Sequence, residues 1–177
     1  MHKLLIVIAA LMLAACSSKP PVPKPEAWPR LQPYPEAYTA VNGFAVNDSA
    51  RVSRPADGQL SAFYPRYGAT LYVTFTPAAD EARRQQVIDN RTERMALNTG
   101  GARSEVTELF SDGGYHCQLI LTPAKTATPV QFLAVGKTQV VSGSAFLPDA
   151  AAAPTDSLAP FIHALYADIL YALKHLQ

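Results

Sequence analysis

The chain is 177 residues long, 49% apolar, 9% aromatic and 16% charged, which excludes a disordered or fibrous chain and fits one globular domain with additional segments. Its 15 Lys and Arg stand against 14 Asp and Glu, a net charge of +1, so no excess of charge exists to draw it to nucleic acid or another polyanion. The odd positive charge is Lys3, and the chain after the leader is neutral.

The leader comes first. Met1-His2-Lys3 is followed by an apolar run from Leu4 to Ala15, about a dozen residues and well short of the roughly 20 that span a bilayer. Residues 1–15 are therefore expected to be a cleaved signal peptide. Leu13-Ala14-Ala15-Cys16 resembles the lipobox of bacterial lipoproteins: small residues admit the signal peptidase, and the Cys16 sulfur takes the diacylglyceryl thioether. Acylation of Cys16 would leave Cys117, the other of the 2 cysteines, without a disulfide partner in an oxidising compartment. Each buried methylene contributes about 0.8 kcal/mol, so two or three acyl chains make a lasting anchor.

After the anchor, Pro20, Pro21, Pro23, Pro25, Pro29, Pro33 and Pro35 favour extended polyproline II, and residues 16–37 are read as the lipidated Cys and a semi-rigid tether. Trp28, Tyr34 and Tyr38 are unusual in a bare linker and imply that its second half packs onto the domain.

One domain is expected over 38–177. Gly43 to Val46, Leu60 to Tyr64 and Ala69 to Phe75 read as strands, the last with Leu71, Val73 and Phe75 on one face. Thr76-Pro77 predicts a helix cap with Pro at the first helical position, and the helix runs to about Leu97, ended by Asn98-Thr99-Gly100-Gly101. Its stripe of Ala82, Val87, Ile88 and Met95 is thin and covers a sheet from one side. Glu105 to Phe110 and Tyr115 to Leu121 flank Ser111-Asp112-Gly113-Gly114 as a β-hairpin, and Val130 to Val135 pairs with Gln139 to Leu147 across Gly136-Lys137 as a second. A last helix, capped by Asp156 or Ser157, presents Leu158, Phe161, Ile162, Leu165, Ile169, Leu170, Leu173 and Leu176 at helical spacing. The fold class is α+β: an antiparallel sheet of about five to seven strands with two main helices, one against each face or both on one.

No catalytic constellation is legible, and no enzyme activity, metal or cofactor is expected. His116, His163 and His175 lack the close spacing of a local metal site. His116 and Cys117 are neighbours on a strand and point to opposite faces, which leaves Cys117 as a small buried hydrophobe beside Tyr115, Leu119 and Leu121. Ser111, Asp112 and His116 fall in and beside a Gly-rich turn and not in a nucleophile elbow. Arg83-Arg84, Arg91 and Arg94 form a basic band on the middle helix among Glu81, Asp89 and Glu93, read as a solvated face with local ion pairs or as a patch for headgroups or an acidic partner. Tyr64, Tyr67, Tyr72, Tyr166 and Tyr171 are expected to offer amphipathic contact surface.

Thr128-Pro129-Val130-Gln131-Phe132, Gly143-Ser144-Ala145-Phe146 and Asp156-Ser157-Leu158-Ala159-Pro160, with Asp168-Ile169 and Leu173 downstream, resemble the tail of the gliding-motility lipoprotein D family of Bacteroidetes. Lys24-Pro25, Phe63-Tyr64-Pro65-Arg66-Tyr67, Asp89 and Arg91 fall in the family's order. The chain departs from the pattern at Gly136-Lys137 and over residues 47–57, as a divergent member does. The resemblance implies a role beside gliding and type IX secretion machinery and carries no catalytic residues. Surface export in that phylum goes with acids just after the lipidated Cys, whereas Ser17-Ser18-Lys19 follows here and the first acid is Glu26. The expectation is an outer-membrane lipoprotein facing the periplasm, bound to the membrane by its lipid and to protein components of an envelope complex. The alternative is a periplasmic lipoprotein that holds a small ligand or lipid in a cavity beneath the sheet.

Overall fold

The computed structural model describes residues 33–177 except 124, 153 and 154, with backbone alone at 155–157. The signal peptide, Cys16, Trp28 and most of the Pro-rich tether lie outside the described residues.

The first two strands, β1 (Tyr38–Val41) and β2 (Phe44–Asn47), form a hairpin of their own. Asn42 and Gly43 turn it, both with positive φ (52° and 79°), the conformation that two-residue hairpin turns demand. The main sheet contains β3 (Arg51–Ser53), β4 (Gln59–Tyr64), β5 (Ala69–Pro77), β6 (Glu105–Phe110), β7 (His116–Leu121), β8 (Val130–Val135) and β9 (Gln139–Phe146). Its seven strands run in the order β3-β4-β5-β9-β8-β7-β6, every neighbouring pair antiparallel. Two helices complete the α+β fold, α1 (Glu81–Thr99) and α2 (Thr155–Lys174). The two predicted hairpins are β6–β7 and β8–β9, and the second returns β9 to lie beside β5.

Strand alternation sends the two side-chain sets to opposite helices. Leu71, Val73 and Phe75 of β5, Cys117 and Leu119 of β7, and Phe132 and Ala134 of β8 share one core with Leu165, Ile169, Leu173 and Leu176 at α2. Leu133 of β8 and Val140 of β9 point the other way and pack with Val87 and Met95 of α1. One helix thus covers each face. The α2 side is the larger core, because the β1–β2 hairpin also packs there: the Phe44 and Phe132 rings stack at 5.5 Å and Tyr38 stacks on Tyr171 at 4.0 Å. Each fully buried side chain of this size contributes about 1.5–3 kcal/mol. The Phe132 ring lies directly over Gly143, where an added Cβ would meet ring carbon Cε1 and the Tyr72 carbonyl oxygen, both at 2.5 Å. Only glycine fits under that ring.

Four expectations are corrected. Asp156 and Ser157 do not cap α2, because both lie inside the helix, which begins at Thr155. Thr76-Pro77 does not cap α1: the β5 ladder continues through Thr76 opposite Val140 and Pro77 opposite Gln139, and Asp80 caps the helix by accepting from the Arg83 amide at 2.8 Å. Inter-strand pairing outweighs the local cap signal. Ala82 does not join the buried stripe but is exposed, since it lies on the side of α1 turned from the sheet. Tyr64 and Tyr67 are buried core residues, not contact surface, because they pack with Tyr34 and Phe161 under α2.

The end of the tether is fixed to the domain. Tyr34 donates its amide to the Tyr67 hydroxyl at 3.1 Å, and its own hydroxyl accepts from the Arg66 amide at 2.7 Å. The Arg66 guanidinium lies 4.5 Å over the Tyr34 ring and donates to the Pro33 carbonyl. Asn47 Nδ2 donates to the Pro35 carbonyl at 3.0 Å.

Candidate functional site

The α1 side of the sheet is only part covered, and its register can be followed row by row. Arg51, Phe63, Thr70 and Phe146 lie opposite one another across β3, β4, β5 and β9. The next row holds Ser61, Tyr72, Ser144 and Gln131, and the one after it Gln59, Thr74, Ser142 and Leu133. Only the β8 and β9 end of these rows lies under α1. Beyond the helix, Phe63, Tyr72 and Phe146 stay 38%, 49% and 37% exposed, an aromatic ledge on two adjacent rows.

Between ledge and helix runs a cleft of about 140 Å³, lined by residues of α1, β5, β8 and β9. Its floor is fixed by two amides: Asn98 Nδ2 donates to Gln131 Oε1 at 3.0 Å, and Gln131 Nε2 donates to the Met95 carbonyl at 3.4 Å. Arg91 and Arg94 stand on its helix wall. Arg91 reaches Thr76 Oγ1 at 3.4 Å, and desolvation together with the neighbouring Arg94 charge pushes its pKa below the usual guanidinium range. The hydroxyls of Tyr72, Thr74, Ser142 and Ser144 line the opposite wall.

The predicted basic band therefore separates into parts with different work. Arg84 pairs with Glu81 and donates to the Lys137 carbonyl at 2.7 Å, tying α1 to the β8–β9 turn. Arg83 donates to Gln86 Oε1 at 2.7 Å. Arg91 and Arg94 line the cleft, and Arg83 lines the neighbouring recess beside Thr76 together with Arg91. Helical arithmetic accounts for this: Arg84 and Arg91 lie over the sheet, and Arg83 and Arg94 lie on the flank toward β5.

A second polar cluster sits on the α2 side. The Tyr38 hydroxyl donates to Asp168 Oδ1 at 2.7 Å, and Asp168 Oδ2 is buried with no hydrogen-bond partner among the described residues. Burial raises the pKa of Asp168, partly offset by the Tyr38 hydroxyl and the nearby Asn47 amide. The same burial and the Asp168 charge push the Tyr38 and Tyr64 phenols upward. Spacing gave no signal for this cluster, since its members come from β1, β4 and α2.

Cys117 is buried and free, its thiol pushed up to about 11 by burial. Asp112 does not meet His116; its carboxylate lies 2.8 Å from His175 Nδ1, which ties the β6–β7 turn to the end of α2. Ser111 Oγ accepts from the Tyr115 amide within that turn. His116 contacts Glu108 at 3.8 Å, and among the described residues no group of three His, Cys, Asp or Glu side chains could hold a metal ion. No helix among the described residues is long and apolar enough to cross a membrane. Of the expected contact tyrosines, Tyr72 and Tyr171 are exposed and Tyr166 is half-buried, donating to Thr107 Oγ1 at 2.7 Å. No family model matches the chain, and no curated protein matches it.

Proposed function

We propose that this is a lipid-anchored cell-envelope accessory protein whose domain docks a protein partner through the open part of the α1-side sheet face. One observation carries the docking reading: Phe63, Tyr72 and Phe146 are exposed together on two neighbouring rows. Exposed aromatics on a rigid sheet offer large contact area at low entropic cost, and such residues concentrate in protein interfaces. The lipobox at Cys16 supports the anchor, and the absence of acids directly after it supports a periplasmic orientation on the outer membrane. The link to gliding motility or type IX secretion-associated machinery rests on the resemblance of the C-terminal third. The ligand-binding alternative would use the recess of about 440 Å³ beside Asp57, Gly58, Phe75 and Pro77. That recess has the size of a small-ligand site and carries the polar side chains of Asn42, Asp57 and Gln139, but only Phe75 and Pro77 give it large apolar lining, and the docking reading is preferred.

The test is site-specific photocrosslinking from position 72 in intact cells, with Phe63→Ser and Phe146→Ser in the same chain. The expected result is a crosslink to an envelope protein that both substitutions remove while the circular dichroism spectrum is unchanged. A crosslink that survives both substitutions, or none at all, refutes the docking face.

A further inference from the structure

The α1 cleft has an unbalanced set of polar groups. Arg94 has no ion pair or hydrogen bond among the described residues, and Arg91 has only its long contact to Thr76. The acids of α1 are engaged or turned elsewhere: Glu81 pairs with Arg84, Asp89 accepts from Gln85 at 2.8 Å, and helical spacing sets Glu93 on the side away from the sheet. No Asp or Glu lines the cleft. Of its two side-chain amide acceptors, Gln131 Oε1 already takes the Asn98 amide, and Asn98 Oδ1 is left. Donors outnumber that one acceptor: two guanidinium groups, and the hydroxyls of Tyr72, Thr74, Ser142 and Ser144, which can donate as well as accept and make no hydrogen bond within the described protein. Two neighbouring cations at a part-buried wall repel one another, and an anion between them turns that repulsion into attraction.

Charge and size select the anion. One carboxylate is satisfied by one guanidinium fork, whereas a phosphate monoester carries about −1.5 to −2 charge and three strong acceptor oxygens. Two guanidinium groups with hydroxyls on the facing strands match the second. A space of about 140 Å³ admits a phosphoryl group, and whole small-molecule ligands occupy pockets of roughly 300–1,000 Å³.

We propose that the cleft between α1 and strands β5 and β9 is a phosphate-monoester site, in which Arg91 and Arg94 hold the phosphoryl group against the hydroxyls of Thr74, Ser142 and Ser144. The monoester comes from a soluble metabolite or from a lipid headgroup, whose acyl chains would take the Tyr72 and Phe146 ledge in place of the protein partner proposed above.

The test is NMR titration of the full chain in nonionic detergent, following the arginine side-chain N–H signals and the amides of residues 142–144. Glycerol 3-phosphate and dihexanoyl phosphatidic acid are the probes. At least one should give saturable shifts at Arg91 and Ser142 that persist at matched chloride, and Arg94→Gln, at an exposed position, should weaken binding at least tenfold. Tighter binding of the lipid by about tenfold, with shifts reaching Phe146, assigns the headgroup source; equal affinity assigns the soluble ester. No saturable shift with either probe, or unchanged affinity in the Arg91→Gln, Arg94→Gln double variant, overturns the site.

Discussion

The Tyr38 hydroxyl and the Asp168 carboxylate, 130 residues apart, meet at 2.7 Å and join the first strand of the domain to its last helix. The bond satisfies one carboxylate oxygen and leaves Oδ2 buried without a partner among the described residues. Burial raises the Asp168 pKa above its ordinary value of 3.8, so the folded state favours the neutral acid. That contribution is fully present below the unfolded pKa and is lost as pH rises through the folded one. Asp168→Asn is neutral throughout. In urea titrations between pH 4 and 7, the wild-type midpoint should fall relative to that of Asp168→Asn as pH rises, and a constant difference would show that Asp168 does not titrate in this window.

Gly143→Ala forces a methyl group into the Phe132 ring and should cost about 1–3 kcal/mol, as overpacking of a close-packed core does. Trimming the ring with Phe132→Leu in the same chain should recover part of the loss. The check is a double-mutant cycle in urea; purely additive losses would mean that the ring is not what the methyl meets.

Cys117 should be inert while the domain is folded. It is buried with its thiol pKa pushed up to about 11, so at pH 8 little thiolate exists and reagent cannot reach it. Reaction with a chromogenic disulfide reagent should be at least about 100-fold faster in denaturing urea than in buffer. Fast labelling of the native protein would contradict the buried position.

Cys16→Ser should leave an uncleaved precursor and abolish metabolic labelling by a fatty acid. The readouts are electrophoretic mobility and incorporation of an alkyne-bearing palmitate analogue. Labelling that persists would place the lipid on another residue.

The elements that can be read from the chain are those whose signals are local. Ser111-Asp112-Gly113-Gly114 and Gly136-Lys137 mark two hairpins because turn chemistry acts over four residues, and the broad stripe of α2 survives as Leu165, Ile169, Leu173 and Leu176 in the core. The signals that mislead are those a distant strand can override. Thr76-Pro77 is a sound cap signal until β9 pairs with it, and Tyr64 is an amphipathic surface residue until α2 closes over it. The phosphate cleft lies between these cases. Arg91 and Arg94 are visible as cations, but their separation from Arg84 depends on which flank of α1 faces uncovered sheet, and β5, β8 and β9 settle that only after they assemble.

The clamp of residues 33–37 onto the domain has a mechanical consequence. Force applied to the chain at residue 33 enters first through the Arg66 and Tyr34 contacts at the β4–β5 turn and then through Tyr38 into α2. The load is taken by side-chain contacts ahead of the first strand, and the hydrogen-bond ladders of the seven-stranded sheet stand behind them. A pull on the chain ahead of residue 33 therefore strips the clamp before it strains the sheet, which gives the domain a yield point ahead of its unfolding.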